Sequence, residues 1–334
     1  MMDLSKMTES RVLSPEEIAV RAGESIPFLR LPEPGLFAER EMRLRQLAAG
    51  HAMRDYLLFI AELTRAQHEL LQQAAPLPLP SSEQIEAAAN AGIPLIPETW
   101  PRNLIWRTEL RRLLDKVAPR VPAGPARAAL LALAQAQDDH LELQAERLLN
   151  GVMLGLDLGT APMIAAGLQL HWVRLVQQTQ AMHGAGRVAP FGRTDDPTLC
   201  PCCGSRPLAS ITRLGAELSG TRYLHCSLCS AQWHYVRIKC AHCQGTQGIN
   251  FQNLQAVSDS QPVVSQAVQV ETCETCGHYL KIVHMEKDNQ VEALADDLAS
   301  LTLDLLVSDA GLVRSGVNLM LLFGDPEPPD PGGR

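Results

Sequence analysis

All nine cysteines of the chain fall between Cys200 and Cys276, and the first 199 residues contain none. Eight of them form four C-x-x-C pairs: Cys200/Cys203, Cys226/Cys229, Cys240/Cys243 and Cys273/Cys276. This spacing lets one tight turn aim two thiolates at a point about 2.3 Å away, and two such turns close a tetrahedral four-sulfur site. In chain order the pairs read C-x2-C-x22-C-x2-C and then C-x2-C-x29-C-x2-C, each with room for a hairpin between its turns. Chain order predicts one site from Cys200, Cys203, Cys226 and Cys229, and another from Cys240, Cys243, Cys273 and Cys276. The alternative is an interleaved cross-brace that joins the first and third pairs. Gly204 and Gly277 directly follow the second cysteine of their pairs, where a positive φ turns backbone N–H groups toward sulfur. All-thiolate tetrahedral sites suit zinc or iron. The run Cys200-Pro201-Cys202-Cys203-Gly204 has the C-P-x-C-G form of a rubredoxin knuckle, and zinc ribbons share it. Tyr223 and Trp233 are candidates to shield the sulfurs.

Other cysteine chemistries fit less well. Cysteine is often a small buried hydrophobe, but chance does not generate four matched pairs. A thioredoxin-like redox pair needs a βα turn, and no helical pattern follows Cys203. A disulfide framework requires an oxidising compartment. The opening MMDLSKMTES carries Asp3, Lys6 and Glu9 where a secretory h-region would lie, so a cytoplasmic chain is expected. Cys202 reads as a spectator pointing outward rather than a reactive thiol. His225 and His242 neighbour paired cysteines and could replace a missing thiolate, although four sulfurs per site leave no need for them.

Elsewhere the chemical signals are weak. Asp138, Asp139, His140 and Glu142 form an acidic cluster, with Asp138 and Glu142 on one helical face, and read as solvated surface. His171–Trp172 reads as packing at the edge of the core. The sequence lacks a G-x-G-x-x-G run, a Walker loop and a G-x-S-x-G elbow. No catalytic machinery is expected, and the chain reads as a non-enzyme.

The elements that must carry the cysteines differ on the two sides of Cys200. On the N-terminal side, helical periodicity covers about Phe37–Ala48, Met53–Ala74, Ala126–Leu149 and Ala161–Met182. A proline-rich stretch from 75 to 101 interrupts it, with a short capped helix at Ser82–Asn90. The apolar run Val152–Val173 contains Asp157, three glycines and His171, so it reads as a buried helix with an irregular approach rather than a membrane span. Beyond Cys200, Thr221–His225, Gln232–Ile238, Ala267–Glu271 and Leu280–Met285 read as hairpin strands between the pairs. One last helix is expected over Val291–Val307, with Asp296, Asp297 and Asp304 off its apolar face. The predicted fold is α+β: a flexible start (1–24), an all-α helical domain (25–190), two tandem four-cysteine modules (195–240 and 240–290), a closing helical segment (291–323) that packs back on the rest, and a disordered tail (324–334).

Composition narrows the function classes. Hydrophobic residues make up 46% of the chain and charged residues 20%, the balance of a globular protein. Lys+Arg number 29 against 37 Asp+Glu, a net charge of −8, which is the wrong sign for a nucleic-acid footprint. Four thiolates around a divalent ion would leave each site negative as well. A small region of short strands has too little core to fold alone, so metal would serve there as a staple.

Three cysteine-bearing stretches, CPCCGSRPLAS, RYLHCSLCSAQWHYVRIKCAHC and ETCETCGHYLKIV, resemble the formate dehydrogenase accessory protein FdhE family. So do LRQLAAGHAMRDYLLFIAELTRAQ (Leu44–Gln67) and ADDLASLTLDLLVSDAG (Ala295–Gly311), and the likeness runs from about Phe28 to Phe323. It implies a cytoplasmic, chaperone-like accessory protein required for maturation of respiratory formate dehydrogenase. The implied partner is the catalytic subunit of that enzyme. The resemblance also implies two rubredoxin-like metal sites at the eight paired cysteines, with iron favoured and zinc the alternative. Cys202 has no counterpart in the pattern. A rubredoxin-like electron carrier and, behind it, a zinc-ribbon nucleic-acid binder are the competing functions.

Overall fold

The computed structural model describes residues 26–322 apart from 74, 98–99, 101, 103, 215–219 and 255–265. The segments expected to be flexible, 1–24 and 324–334, lie outside the described residues. Helices α1 (Leu36–Ala48), α2 (Arg54–Gln72), α3 (Ser82–Ala91), α4 (Ile105–Val117), α5 (Pro125–Ala134), α6 (Asp138–Leu149) and α7 (Ala161–His183) come first. In α2 the broad apolar stripe is buried, from Leu57 through Leu70. A reciprocal Ser81–Gln84 capping box starts α3. Helices α2, α4 and α6 pack against α7, whose residues from Ala161 to Val176 are all buried. A Cβ at Gly167 of α7 would lie 3.2 Å from the Leu110 Cβ of α4, so glycine sets this close crossing.

The expected long helix over Ala126–Leu149 is two helices. Arg111 explains the break: its guanidinium donates to the carbonyls of Ala134 (3.3 Å) and Ala136 (2.9 Å), which a continuous helix would use itself. Leu130, Leu133, Ala134, Leu141, Ala145 and Leu148 are still buried together. Helix α4 was not anticipated from sequence, because its Arg107 and Glu109 are charged residues that end up buried.

The strands are β1 (Leu29–Arg30), β2 (Pro207–Arg213), β3 (Thr221–Cys226), β4 (Gln232–His234), β5 (Ile249–Gln252), β6 (Val268–Cys273), β7 (His278–His284) and β8 (Val313–Arg314). They form one sheet of order β1-β4-β3-β2-β7-β6-β5, with β8 also paired to β7. The cysteine region is a duplication. Each half is a three-strand antiparallel unit, β2-β3-β4 and β5-β6-β7, and the second strand of each ends on a cysteine, Cys226 or Cys273. Parallel pairing of β2 with β7, Ser210 opposite Ile282, joins the two units. One apolar core runs continuously from the helices into the sheet.

Beyond the sheet, α8 (Ala293–Ala299) and α9 (Leu301–Asp309) replace the single helix expected over Val291–Val307. Ser300 breaks it by donating its hydroxyl to the Asp296 carbonyl (2.7 Å), while Lys281 Nζ donates to that of Asp297 (2.6 Å). The break rotates the apolar stripe, so Leu303 and Val307 are buried while Leu305 and Leu306 are about half exposed. Asp296, Asp297 and Asp304, off that stripe as expected, are buried in ion pairs. Asp296 takes a two-pronged contact from Arg43 of α1 (2.9 and 2.6 Å), which packs α8 back against the helices.

Candidate metal centres

The four C-x-x-C turns share one backbone design. In each, the residue after the second cysteine has a positive φ: Gly204 (76°), Ser230 (59°), Gln244 (61°) and Gly277 (68°). That conformation brings the backbone N–H of this residue onto the first cysteine's carbonyl, as at Gly204 to Cys200 (2.8 Å) and Gly277 to Cys273 (2.9 Å). Amides within three of the turns then point at sulfur, from Cys202 to Cys200 Sγ (3.4 Å), Leu228 to Cys226 Sγ (3.3 Å) and His242 to Cys240 Sγ (3.3 Å). Sequence reading found the two glycines but missed Ser230 and Gln244. Superposing the four turns of the duplication would have marked both positions.

Left-handed backbone costs a residue with a Cβ about 1–2 kcal/mol, and the greater unfolded-state freedom of glycine returns about 0.5–1 kcal/mol of that. Gln244→Gly is therefore expected to stabilise the metal-loaded protein by about 0.5–1 kcal/mol, read as a higher denaturant midpoint. Ser230→Gly should give no gain, because the Ser230 hydroxyl accepts from buried Arg40 (3.2 Å). A lower midpoint for Gln244→Gly would show that the backbone there is not strained.

The turns meet in chain order. Cys200, Cys203, Cys226 and Cys229 form one group, and Cys240, Cys243, Cys273 and Cys276 the other, with all sulfurs of a group within 4.8 Å of one another. Within the first group, Cys200–Cys229 is 3.5 Å and Cys203–Cys226 is 3.4 Å. In the second, Cys240–Cys276 is 3.7 Å and Cys243–Cys273 is 3.8 Å. A tetrahedron with metal–sulfur bonds of about 2.3 Å has edges of about 3.8 Å, whereas a disulfide needs about 2.05 Å. All nine cysteines are free thiols.

Electrostatics supports a cation. Burial pushes the Cys226 and Cys229 thiols well up. Burial also works against ionising Cys200, but hydrogen bonds from Cys202, Cys203, Cys226 and Cys229 outweigh it and hold that thiol well below its usual value. Neighbouring thiolates at such distances repel one another. A central divalent ion removes that repulsion, so the donor set fits zinc or iron.

The two groups differ in surroundings. The first is fully buried, and helical elements grip its turns. The Ile96 amide donates to the Cys202 carbonyl (3.1 Å), Gln169 of α7 donates to the Ser227 carbonyl (2.8 Å), and Arg40 of α1 reaches Ser230. The Ile96 carbonyl in turn accepts from Trp172 Nε1 (3.1 Å). The second group leaves Cys243 exposed and Cys276 half-buried. Its turns are held from within the sheet region, for example by Tyr235 Oη on the Cys240 carbonyl (2.9 Å) and the Val313 amide on that of Gly277 (2.9 Å).

Cys202 is buried beside Cys200 rather than pointing outward, because Ile96 pins its peptide against the helices. Burial pushes its thiol well up, which keeps it protonated. His225 and His242 stand beside the groups and not in them. His225 Nδ1 accepts from Gln232 Nε2 (3.2 Å), and the His242 ring stacks on that of His278 with centroids 3.5 Å apart. Tyr223 and Trp233 are both buried, with Oη on the Pro27 carbonyl (2.8 Å) and Nε1 on the Pro197 carbonyl (2.9 Å). The acidic cluster on α6 is engaged by basic side chains: Asp138 pairs with Arg111 (2.6 Å) and Glu142 with Arg102 (3.0 Å). His171 is buried edge-on against Trp172, deeper than the core edge.

Family models match along the chain: "FdhE, N-terminal" over residues 26–185, "FdhE, central domain" over 199–237 and "FdhE, C-terminal domain" over 238–321. A protein FdhE homolog of Serratia proteamaculans is 40% identical over 303 residues, covering 90% of this chain and 93% of the relative. One from Pectobacterium atrosepticum is 37% identical over 309 residues, 92% of this chain and 94% of the relative. The crystal structure of the FdhE protein from Pseudomonas aeruginosa aligns with a TM-score of 0.74 at 36% identity, over 90% of this chain and all of that one. With its helical front, its paired sulfur groups and its closing helices all matched, the chain belongs to the FdhE family of formate dehydrogenase accessory proteins.

Proposed function

We propose that this protein serves maturation of respiratory formate dehydrogenase in the cytoplasm, binding the catalytic subunit through a scaffold that two metal ions hold together. The observation that carries this reading is the pair of closed four-sulfur groups set in one sheet of an FdhE-family chain. The eight paired cysteines would hold the ions, which supply cross-links between strands that have little core of their own. The proposed role is non-catalytic, and it agrees with the pairing of two charged clusters outside the sulfur groups: Arg107 and Arg111 with Asp138, and Lys281 and Arg314 with Asp297 and Asp304. No helix among the described residues is long and apolar enough to cross a membrane, in keeping with action before export.

A strain lacking the protein is expected to make the catalytic subunit but to lose most formate-dependent respiratory activity, and the full chain should restore it. Unchanged activity in that strain would refute the reading. The rival electron-carrier function draws on the exposed position of Cys243. It requires a visible charge-transfer band that bleaches reversibly with reductant, and a colourless zinc protein that restores activity would eliminate it.

A further inference from the structure

We propose that the two sulfur groups have different jobs: the first keeps its ion for the life of the fold, and the second is an exchange site that takes up and gives up one soft divalent ion. The inference rests on the metal reading above and goes beyond it by assigning lability to one site.

Ligand exchange at a four-thiolate centre needs an incoming donor to reach the ion while one sulfur leaves. In the first group that approach is closed. Cys200, Cys203 and Cys229 are 0% exposed and Cys226 is 1%. Three hydrogen bonds from elements far away in sequence, at Arg40, Ile96 and Gln169, cross its turns. Opening it means lifting the sheet off the helices, which breaks the shared core.

The second group has the opposite construction. Cys243 is an exposed residue and Cys276 a half-buried one, and both sulfur pairs of the group, Cys240–Cys276 and Cys243–Cys273, are only partly buried. Cys240 and Cys273, 5% and 2% exposed, form its inner wall. Its first turn leads into β5, the edge strand of the sheet, whose residues from Asn250 to Gln252 are exposed. Local opening there disturbs few buried contacts.

Exchange then proceeds by substitution. A bond from the incoming donor to the ion forms as the Cys243 sulfur–metal bond breaks, and the freed thiolate takes a proton from water. No electron moves. The remaining sulfurs follow in turn, and the reverse sequence seats a new ion.

The test uses the full chain loaded with zinc and a colorimetric chelator in excess, with timed iodoacetamide labelling mapped by mass spectrometry. Half of the zinc should leave at least about tenfold faster than the rest, because the first site must wait for a larger opening. Cys243 and Cys276 should be alkylated before Cys226 and Cys229, with far-UV helix signal unchanged during the fast phase. Two ions leaving in one phase, or first-group cysteines labelled first, would overturn the assignment while leaving the metal reading intact. Protein that binds no zinc would overturn both.

Discussion

Replacing Cys226 and Cys229 together by serine is expected to remove one of two metal ions, unfold the β2-β3-β4 unit and abolish support of formate dehydrogenase. Two thiolates cannot hold the ion, and a structural zinc site contributes roughly 10–16 kcal/mol in isolated zinc-finger peptides. Typical domains have only about 5–15 kcal/mol of net stability. The loss should also reach the helices, since Arg40, Ile96 and Gln169 are hydrogen-bonded to the turns of this site. The helices keep their own aliphatic contacts around α7, so most of the far-UV helix signal should survive. Limited proteolysis should cut first between residues 200 and 240, and elemental analysis should find one ion instead of two. An unchanged melting temperature with two ions still bound would refute the staple. Full binding of the catalytic subunit with lost activity would instead favour a redox or metal-transfer role.

The second large effect is expected at Lys281. This side chain is 0% exposed on β7 and contacts Asp297 Oδ1 (3.0 Å) and Asp304 Oδ2 (2.6 Å). Arg314 contacts the same two carboxylates at 2.6 and 3.1 Å, and Asn318 donates to Asp297 (2.8 Å). Lys281→Met would leave two buried carboxylates facing one guanidinium, at a cost of about 3–5 kcal/mol. Lys281→Met with Asp304→Asn restores the charge balance and should recover part of that loss. Removing the exposed partner in Arg54–Asp55 should cost less than about 1 kcal/mol. Chemical denaturation of the four proteins measures all of this. A cost for Lys281→Met no larger than for Arg54→Met would contradict the account.

The same network gives a pH dependence. Burial pushes the Asp297 carboxyl up, but Arg314, Lys281 and Asn318 outweigh it and hold it below the usual aspartate range. A carboxyl depressed in the folded state adds stability above its unfolded value of about 3.9 and loses it as pH falls through the lower folded value. Acid unfolding of the wild type should therefore steepen below about pH 4. Asp297→Asn should lower stability at neutral pH and flatten that acid limb. An acid limb of unchanged steepness in Asp297→Asn would show that the carboxyl carries none of it.

The sulfur groups were legible in the sequence because both the ligand spacing and the chain-order pairing are local properties of a tandem duplication. Their surroundings were not. Arg40, Ile96 and Gln169 carry no signal that they grip the cysteine turns more than fifty residues away, and the burial of Cys202 goes with the Ile96 contact. The burial of the acidic residues of α8 and α9, off the apolar face, was hidden because their partners, Arg43 and Lys281, lie on other elements. Helix breaks at Gln135–Gln137 and Ser300 were hidden because the apolar period runs on across them, and in both places a distant cation takes the carbonyls. Strand β2 begins on a proline and owes its place partly to parallel pairing with β7, a tertiary contact that its own residues do not announce.

Capture of the full chain from cells that express respiratory formate dehydrogenase, with elemental analysis of the same preparation, tests the central claim most directly. The account predicts enrichment of the catalytic subunit of that enzyme and two iron or zinc ions per chain, with the enrichment lost and one ion remaining in the Cys226→Ser/Cys229→Ser protein. A wild-type chain that restores activity while carrying fewer than two ions, or without ever retaining the catalytic subunit, would contradict it.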